Sequence, residues 1–241
     1  QRCSAELGGL RADSVYEYRP VAPGEVDATP WHRFRTAPEG PAQPVSFFYF
    51  GDVQAGIDAW SSGYEAAAVR HPEVRFSLQV GDLVNLGARR ADYDEAFAGA
   101  PEAFARLPFV PVLGNHEYFL GGDALFDLVF VLSGPGPSNP GHCRVLDYGP
   151  VRIVVLDSAP WRTHEAQAAW LAQRLDESRA PWKIVAFHHP VWPPRSATAK
   201  PEVPASWIKT IEARGVALVL NGHDHSYSRT HPLRDGVPSP E

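Results

Sequence analysis

The feature of this sequence that most constrains its fold is a series of short apolar runs separated by longer amphipathic stretches. None of the runs approaches the ~20 apolar residues that span a bilayer. Two of the intervening stretches have helical periodicity: residues 164–178, with Trp170, Leu171 and Leu175 on one face, and residues 206–215, which end at Gly215. Strands that alternate with helices predict an α/β fold. The apolar runs are residues 45–50, 75–80, 109–114, 151–157, 182–189 and 216–222.

The first part of the chain has a different pattern. Residues 9–21 and 31–38 alternate aromatic with polar positions, which is typical of half-buried antiparallel strands. Residues 37–44 contain three prolines and a glycine without apolar periodicity, as in a linker. We therefore predict a small β-domain at residues 1–38, a linker at 39–44 and a larger α/β domain at 45–241.

Composition excludes several classes of function. The net charge is -6 and no dense Lys/Arg cluster occurs, so we expect neither a nucleic-acid partner nor an anionic membrane surface as partner. The two cysteines, Cys3 and Cys143, fit neither a disulfide framework nor a thiolate metal site. The sequence contains no methionine, and we expect a processed chain or a fragment.

Polar side chains that commonly bind metals follow five of the apolar runs. In α/β folds the loops after the carboxyl ends of the strands converge, so these side chains are expected to meet at one edge of the sheet. Asp157 follows a sixth run in the same way, and we rank it below the others. The five groups are Asp52 with Gln54, Asp82 with Asn85, Asn115 with His116 and Glu117, His188 with His189, and His223 with His225.

Each group taken alone has an ordinary structural explanation, such as an aspartate in a turn or a half-buried histidine. Together they would suffer repulsion and desolvation at one sheet edge unless a cation neutralised them. Oxygen and imidazole donors without thiolate suit Mn, Fe, Zn or Ni. Two aspartates and several histidines exceed the needs of one open catalytic ion, which predicts two metals bridged by a carboxylate. In this hypothesis Gly222 lets the chain turn sharply, and His223 and His225 each face one ion.

In order, the motifs GDxQ, GDxxN, GNHE, HHP and GHDH resemble those of the calcineurin-like metallophosphoesterase superfamily, from residue 45 to about residue 235. The resemblance implies a β-sandwich flanked by helices (αββα). Residues 9–38 resemble the last strands of the fibronectin-like domain that precedes the catalytic domain in purple acid phosphatases and their bacterial relatives. By this resemblance, residues 1–38 end a fibronectin-like domain and residues 45–241 form a catalytic domain that lacks its C-terminal strands. It also implies a secreted, periplasmic or cell-surface location.

The resemblance implies a role for each motif residue. His116 would bind phosphate and protonate the leaving alkoxide, and Glu117 would orient its imidazole. Asn115 would contact the substrate, Arg229 would either contact the phosphate or have a structural role, and Gln54 would be a weak ligand of the first metal. Asn85, His189 and Tyr227 would lie behind the ligands. The metal ligands would be Asp52 and His225 for the first ion, Asn115, His188 and His223 for the second, and Asp82 as the bridge.

The implied activity is hydrolysis of phosphate esters, preferably phosphomonoesters, by a water that bridges two ions of Fe, Mn or Zn. A phosphodiesterase that acts on cyclic nucleotides or other diesters is the alternative enzyme, because loops 117–142 and 191–204 would decide between the two. A non-catalytic extracellular binding protein with a structural metal site is the alternative from another class. Purple acid phosphatases carry a tyrosine three residues after the bridging aspartate, whereas this chain has Asn85, so we expect no purple charge-transfer band.

Overall fold

The structure is a computed structural model. It describes residues 4–21, 29–132, 134, 136–137, 141–159, 164–193, 202–234 and 236–239. Cys3 and most of the 191–204 loop lie outside the described residues.

The first element is a β-hairpin of β1 (Val15–Tyr18) and β2 (His32–Arg35), which pair antiparallel. This confirms the two strands predicted from the aromatic alternation. The rings of Tyr16 and Phe34 stack on one face, with their centroids 5.8 Å apart. The hydroxyl of Tyr18 donates a hydrogen bond to the carbonyl of Ala105, so the hairpin contacts the α/β part of the molecule.

Three parallel strands form the first sheet, in the order β3-β4-β5. The helices between these strands cover the outer face of the sheet. Two further helices follow β5. The strands are β3 (Ser46–Phe50), β4 (Val74–Gln79) and β5 (Phe109–Pro111). The helices are α1 (Ile57–Arg70), α2 (Arg90–Gly99), α3 (Pro101–Arg106), α4 (Asn115–Tyr118) and α5 (Asp123–Val129).

The second sheet has the order β6-β7-β8-β9, in which β6 is antiparallel to β7 and the other pairs are parallel. Two helices pack on its outer face, and a short hairpin follows. The strands are β6 (Arg144–Tyr148), β7 (Val151–Val155), β8 (Trp182–Ala186) and β9 (Leu218–Leu220). The helices are α6 (His164–Asp176) and α7 (Ala205–Ala213), and the hairpin strands are β10 (Leu233–Arg234) and β11 (Val237–Pro238).

The main core lies between the two sheets. Along β7, Ile153 and Val155 point inward and pack with Leu78 of the first sheet. Val154 points outward and packs with Leu171 of α6. Because successive residues of a strand face opposite sides, one apolar run serves both the inner core and a helical layer. This arrangement of two sheets between helices confirms the predicted αββα fold.

The apolar runs predicted the strands well but not where they end. The run at 109–114 is a strand only as far as Pro111, and the run at 182–189 only as far as Ala186. The motif residues lie just beyond the carboxyl ends of the strands, where strand pairing has stopped, and they turn toward one another. The predicted end of α7 is confirmed, because Gly215 has a φ of +64° just beyond the helix. No helix in the described part of the chain combines the length and apolarity needed to cross a membrane.

Candidate metal centre

The polar residues that follow β3, β4, β5, β8 and β9 meet at one edge of the sandwich. Asp82, His188 and His223 offer ligand atoms that all lie within 4.8 Å of one another. Asp52, Asp82 and His225 form a second group that satisfies the same distance. Asp82 therefore belongs to both groups, which is the position that a bridging carboxylate requires.

The group around His188 is buried. The Nδ1–H of His188 donates a hydrogen bond to the carbonyl of Val80 at 2.8 Å, so Nε2 is the nitrogen that faces the site. This Nε2 lies 3.1 Å from Oδ1 of Asn115 and 3.3 Å from Nδ1 of His223. It also lies 3.3 Å from Oδ2 of Asp82. Four ligand-type atoms thus surround one point.

The electrostatics of this point favour positive charge. Burial opposes protonation of His188, but the Asp82 carboxylate outweighs burial and raises the pKa of His188 to about 8. Burial likewise opposes ionisation of Asp82, but the hydrogen bonds and positive charge of His188 and His116 together outweigh burial and lower the pKa of Asp82. Oxygen and imidazole donors around a point that attracts a cation fit a transition metal such as Fe, Mn or Zn.

The group around Asp52 is more open. The side chain of His225 is 51% exposed, and its Nε2 lies 3.8 Å from Oδ1 of Asp52. The same Nε2 lies 3.0 Å from the Nε2 of Gln54, so the amide contacts an atom that a metal would need. Both oxygens of Asp52 lie 2.8 Å from the backbone N–H of His223. Burial raises the pKa of Asp52.

Several of these residues have a strained backbone. Asp52, Asp82, His223 and His225 have φ values of +55°, +56°, +75° and +49°, in the left-handed region that non-glycine residues rarely adopt. Each such residue costs about 1–3 kcal/mol, and such residues cluster at functional sites. The hypothesis that Gly222 supplies the sharp turn is wrong, because the histidines carry the positive φ. A Cβ at Gly222 would lie 2.4 Å from Oδ2 of Asp52, so glycine is required for close approach.

His116 lies beside Asp82 at the start of α4. Its backbone N–H donates to Oδ1 of Asp82 at 2.9 Å, and its Nδ1–H donates to the carbonyl of Asn85 at 2.7 Å. Its Nε2 lies 3.8 Å from Oδ2 of Asp82. The prediction that Glu117 orients this imidazole is wrong, because the backbone of Asn85 does so.

Glu117 instead organises the backbone around the site. Its fully buried carboxylate accepts hydrogen bonds from the N–H groups of Asp82, Leu83 and Gly114, at 2.9, 2.8 and 2.7 Å. Burial and the charge of Asp82 raise the pKa of Glu117, against the effect of these donors. The loops after β4 and β5 are thereby joined through one carboxylate. The glutamate three residues after the glycine that caps α4 is a capping-box signal that could have predicted this role.

The remaining predicted site residues differ in their placement. His189 is buried behind His223, with ring centroids 4.5 Å apart, and its Nδ1 lies 2.9 Å from the hydroxyl of Ser158. Burial lowers the pKa of His189 to about 3, so this imidazole is neutral. Tyr227 is 90% exposed. Arg229 is exposed and forms no hydrogen bond or ion pair with any residue that the structure describes. The structure does not bring Tyr227 and Arg229 into the site.

Asp157 belongs to a separate buried network. Its carboxylate accepts hydrogen bonds from the Tyr118 hydroxyl at 2.5 Å and from the N–H of Ala159 at 3.1 Å. Nδ1 of His142 lies 3.6 Å from the same carboxylate, and Nε2 of His142 lies 2.9 Å from Asp127. Asp157 is therefore placed to support α4 from behind and is not in either ligand group around Asp82.

The sequence model of a family described as calcineurin-like phosphoesterase matches residues 45–227, which include both ligand groups. The chain belongs to the calcineurin-like phosphoesterase family. This match accounts for the order of the five motifs along the chain and for their meeting at one edge of the sandwich.

Two curated proteins are similar to this chain over most of its length. Purple acid phosphatase 18 of Arabidopsis thaliana is 26% identical over 254 residues, which cover 97% of this chain and 54% of that protein. A nucleotide pyrophosphatase/phosphodiesterase of Hordeum vulgare is 24% identical over 179 residues, which cover 65% of this chain and 49% of that protein. The chain spans about half the length of these relatives.

A solved structure shows the same fold. The purple acid phosphatase PPD1 from yellow lupin (Lupinus luteus) seeds superimposes with a TM-score of 0.74 and 18% identity, over 95% of this chain and 47% of that one.

Sequence motifs did not indicate one acidic residue near the centre. Oε2 of Glu202 lies 3.7 Å from Nε2 of His223, the imidazole nitrogen that faces away from His188. Histidine ligands of metals commonly present their second nitrogen to a carboxylate, which orients the ring. Glu202 lies within the proline-rich 191–204 loop, which has no apolar periodicity, and only the three-dimensional structure brings it to His223.

Proposed function

We propose that this protein hydrolyses phosphate monoesters with a centre of two metal ions. The observation that carries this proposal is the position of Asp82 in both groups of ligand-type atoms. One carboxylate that is shared between two sets of imidazole and oxygen donors is the arrangement that two-metal hydrolases use. Membership of the calcineurin-like phosphoesterase family supports phosphate esters as the substrate class.

The proposed ligands fall into two sets that share Asp82. Bound Fe, Mn or Zn supplies Lewis-acid chemistry, which makes water nucleophilic near neutral pH and neutralises charge on phosphoryl oxygens. The chain's own residues hold the ions at fixed positions, and the strained loops after β3, β4 and β9 present the donors. The first set is Asp52, Asp82 and His225, with Gln54 as a weak additional ligand, and the second is Asp82, Asn115, His188 and His223.

His116 is the proposed phosphate-binding residue and general acid. Its Nδ1 keeps its proton in the hydrogen bond to the carbonyl of Asn85, so only Nε2 can exchange a proton with substrate. This nitrogen faces the site beside Asp82. A protonated Nε2 can donate a hydrogen bond to a phosphoryl oxygen and a proton to the departing alkoxide.

Monoesters are favoured because two of the similar proteins are named purple acid phosphatases. The similar barley protein, named a nucleotide pyrophosphatase/phosphodiesterase, favours diesters as the second candidate. Part of the 191–204 loop, which we predicted to influence this choice, lies outside the described residues.

The test compares His116→Ala with wild type after loading with Mn²⁺. We expect turnover of p-nitrophenyl phosphate to fall by about 10²- to 10⁴-fold, while two metal equivalents per chain remain by plasma mass spectrometry. His71→Ala is the matched control. His71 is an exposed histidine at the C-terminal end of α1, whereas the proposed ligands Asp52 and Gln54 precede the N-terminal end of that helix.

The outcomes separate the candidate functions. Full activity of His116→Ala would remove His116 from the mechanism. Faster turnover of bis(p-nitrophenyl) phosphate than of the monoester would identify a phosphodiesterase. Two bound metals with no turnover of either ester would support the non-catalytic binding protein.

We also propose the domain boundaries and location that the family resemblance implies. Residues 1–38 would end a fibronectin-like domain, 39–44 would be a linker, and 45–241 would be the catalytic domain. The support is the β1–β2 hairpin with its aromatic face. Family members with such a domain are mostly exported, so cell fractionation of the full-length protein should place it in a secreted or periplasmic fraction.

A further inference from the structure

An apolar surface lies directly beside the imidazole of His116. The ring of Phe119 contacts this imidazole, with centroids 4.7 Å apart, and Phe119 is 41% exposed. Leu120, the next residue, is 82% exposed. Both belong to the 3-10 turn Phe119–Gly121 that follows α4. We call these two side chains the apolar rim.

The backbone at the apolar rim is strained. Leu120 has a φ of +58°, in the region where glycine and asparagine are common and a bulky leucine is an outlier. Its side chain does not stabilise the core, since most of its surface is in contact with solvent. Strained residues cluster at active sites and ligand clamps, and Leu120 directly follows Phe119, which contacts the proposed acid.

The position of His116 determines which part of a substrate reaches this surface. A general acid must lie within hydrogen-bond reach of the leaving oxygen. The remainder of the leaving group then extends past the imidazole, where Phe119 lies against the ring and Leu120 follows. A sugar or polyol as leaving group would leave the side chains of Phe119 and Leu120 exposed to water. A planar aromatic ring would cover their apolar surface.

We propose that the apolar rim binds the aromatic ring of the leaving group, so that the preferred substrates are phosphate esters of aromatic alcohols. Phe119 and Leu120 determine specificity in this reaction. The inference rests on the proposed function through the role of His116.

The first experiment measures kcat/KM for benzyl phosphate and ethyl phosphate. Both are phosphate esters of primary alcohols, and benzyl phosphate carries a phenyl ring where ethyl phosphate carries a methyl group. In Leu120→Asn the ratio of the two values should fall by about 5- to 10-fold, the scale of a lost apolar contact. Asparagine accepts a positive φ, so thermal unfolding should occur at the same temperature or higher. Phe119→Leu keeps an apolar residue but loses the ring, and should also lower the ratio. Val69→Asn, at an exposed apolar position near the end of α1, is the control that should leave the ratio unchanged.

The second experiment needs no turnover. Benzylphosphonate and ethylphosphonate are titrated into the Mn²⁺-loaded protein by calorimetry. We expect the benzyl compound to bind about 5- to 10-fold more tightly, and this preference to disappear in Leu120→Asn.

These readouts separate the two proposals. Hydrolysis of both esters, with a ratio that Leu120→Asn does not alter, would overturn the apolar rim and leave the proposed function in place. A preference for benzylphosphonate that depends on Leu120, without hydrolysis of any ester, would support the rim and overturn the proposed function. Equal affinity for the two phosphonates in wild type would also overturn the rim.

Discussion

The two halves of the candidate metal centre differ in burial and in how closely their side chains contact one another. In the half around His188, the imidazole is fully buried and its Nε2 has three ligand-type atoms within 3.3 Å. In the half around Asp52, the imidazole of His225 is half exposed and lies 3.8 Å from the carboxylate. The fold brings the donors of one half together, whereas a bound ion would have to draw the donors of the other half closer.

This difference has a cause in the positions of the strands. His188 follows β8, an inner strand of the second sheet, and its Nδ1 is held by the carbonyl of Val80 from the first sheet. His225 follows β9, an edge strand that ends at Leu220, and lies further along the chain from its strand than His188 does from β8, which ends at Ala186. Preorganised donors lose less entropy on binding, so we expect the half around His188 to bind its metal more tightly.

The largest expected effect tests the buried half. His188→Ala removes a proposed ligand and leaves Asp82 without its closest imidazole. Metal affinity should fall by more than about 100-fold, the upper end of what loss of a residue behind a ligand causes. Phosphatase activity should fall with it. Titration calorimetry with Mn²⁺ measures the affinity, and retention of two equivalents would contradict the proposed ligand set.

His225→Ala tests the exposed half and should be milder. We expect the affinity of one site to fall by about 10- to 100-fold while the other site is unchanged. After dialysis against a weak chelator, the variant should keep one metal equivalent and wild type two, by plasma mass spectrometry. Loss of both equivalents would show that the halves are not independent.

A variant that increases metal affinity in the half around Asp52 is a further test of the difference between the two halves. Gln54 is buried and its amide contacts Nε2 of His225, so Gln54→His would place a stronger donor in the weaker half. We expect about 10-fold tighter binding of the more weakly held metal. Gln173→His, at an exposed position of α6, is the control for the added histidine. An unchanged affinity would show that residue 54 does not face the first ion.

The smallest effect concerns colour. The iron-loaded wild type should show no tyrosinate-to-iron absorption band, because Asn85 stands where purple acid phosphatases carry tyrosine. Asn85 is exposed, so Asn85→Tyr should fold and gain the band, whereas Asn85→Phe should not. A visible band of this kind in wild type would mean that another tyrosine reaches the iron.

Much of the fold was predictable because apolar runs must be buried. The runs at 151–157 and 182–189 predicted β7 and β8, and the aromatic alternation predicted the N-terminal hairpin. The motif order predicted which loops would meet, since the carboxyl ends of parallel strands converge.

The contacts within the site were less predictable. No sequence pattern predicts that the backbone carbonyl of Asn85 accepts a hydrogen bond from His116. None predicts that the carboxylate of Glu202 approaches His223. The need for Gly222 was recognised for the wrong reason, because a clash with Asp52 arises only once the loops after β3 and β9, which belong to different sheets, are brought together. Such details depend on distances between segments that are far apart in sequence.

The carboxylate of Glu117 has a consequence for the choice of metal. It ties the backbone of Asp82 to that of Gly114, the residue before Asn115, so the proposed bridging donor and a proposed donor to the second ion are held in one rigid unit. The separation between two bound cations would then be a property of the polypeptide. Ions of different radius would have to adapt to that separation, and the protein would discriminate between metals by size through a residue that contacts neither of them.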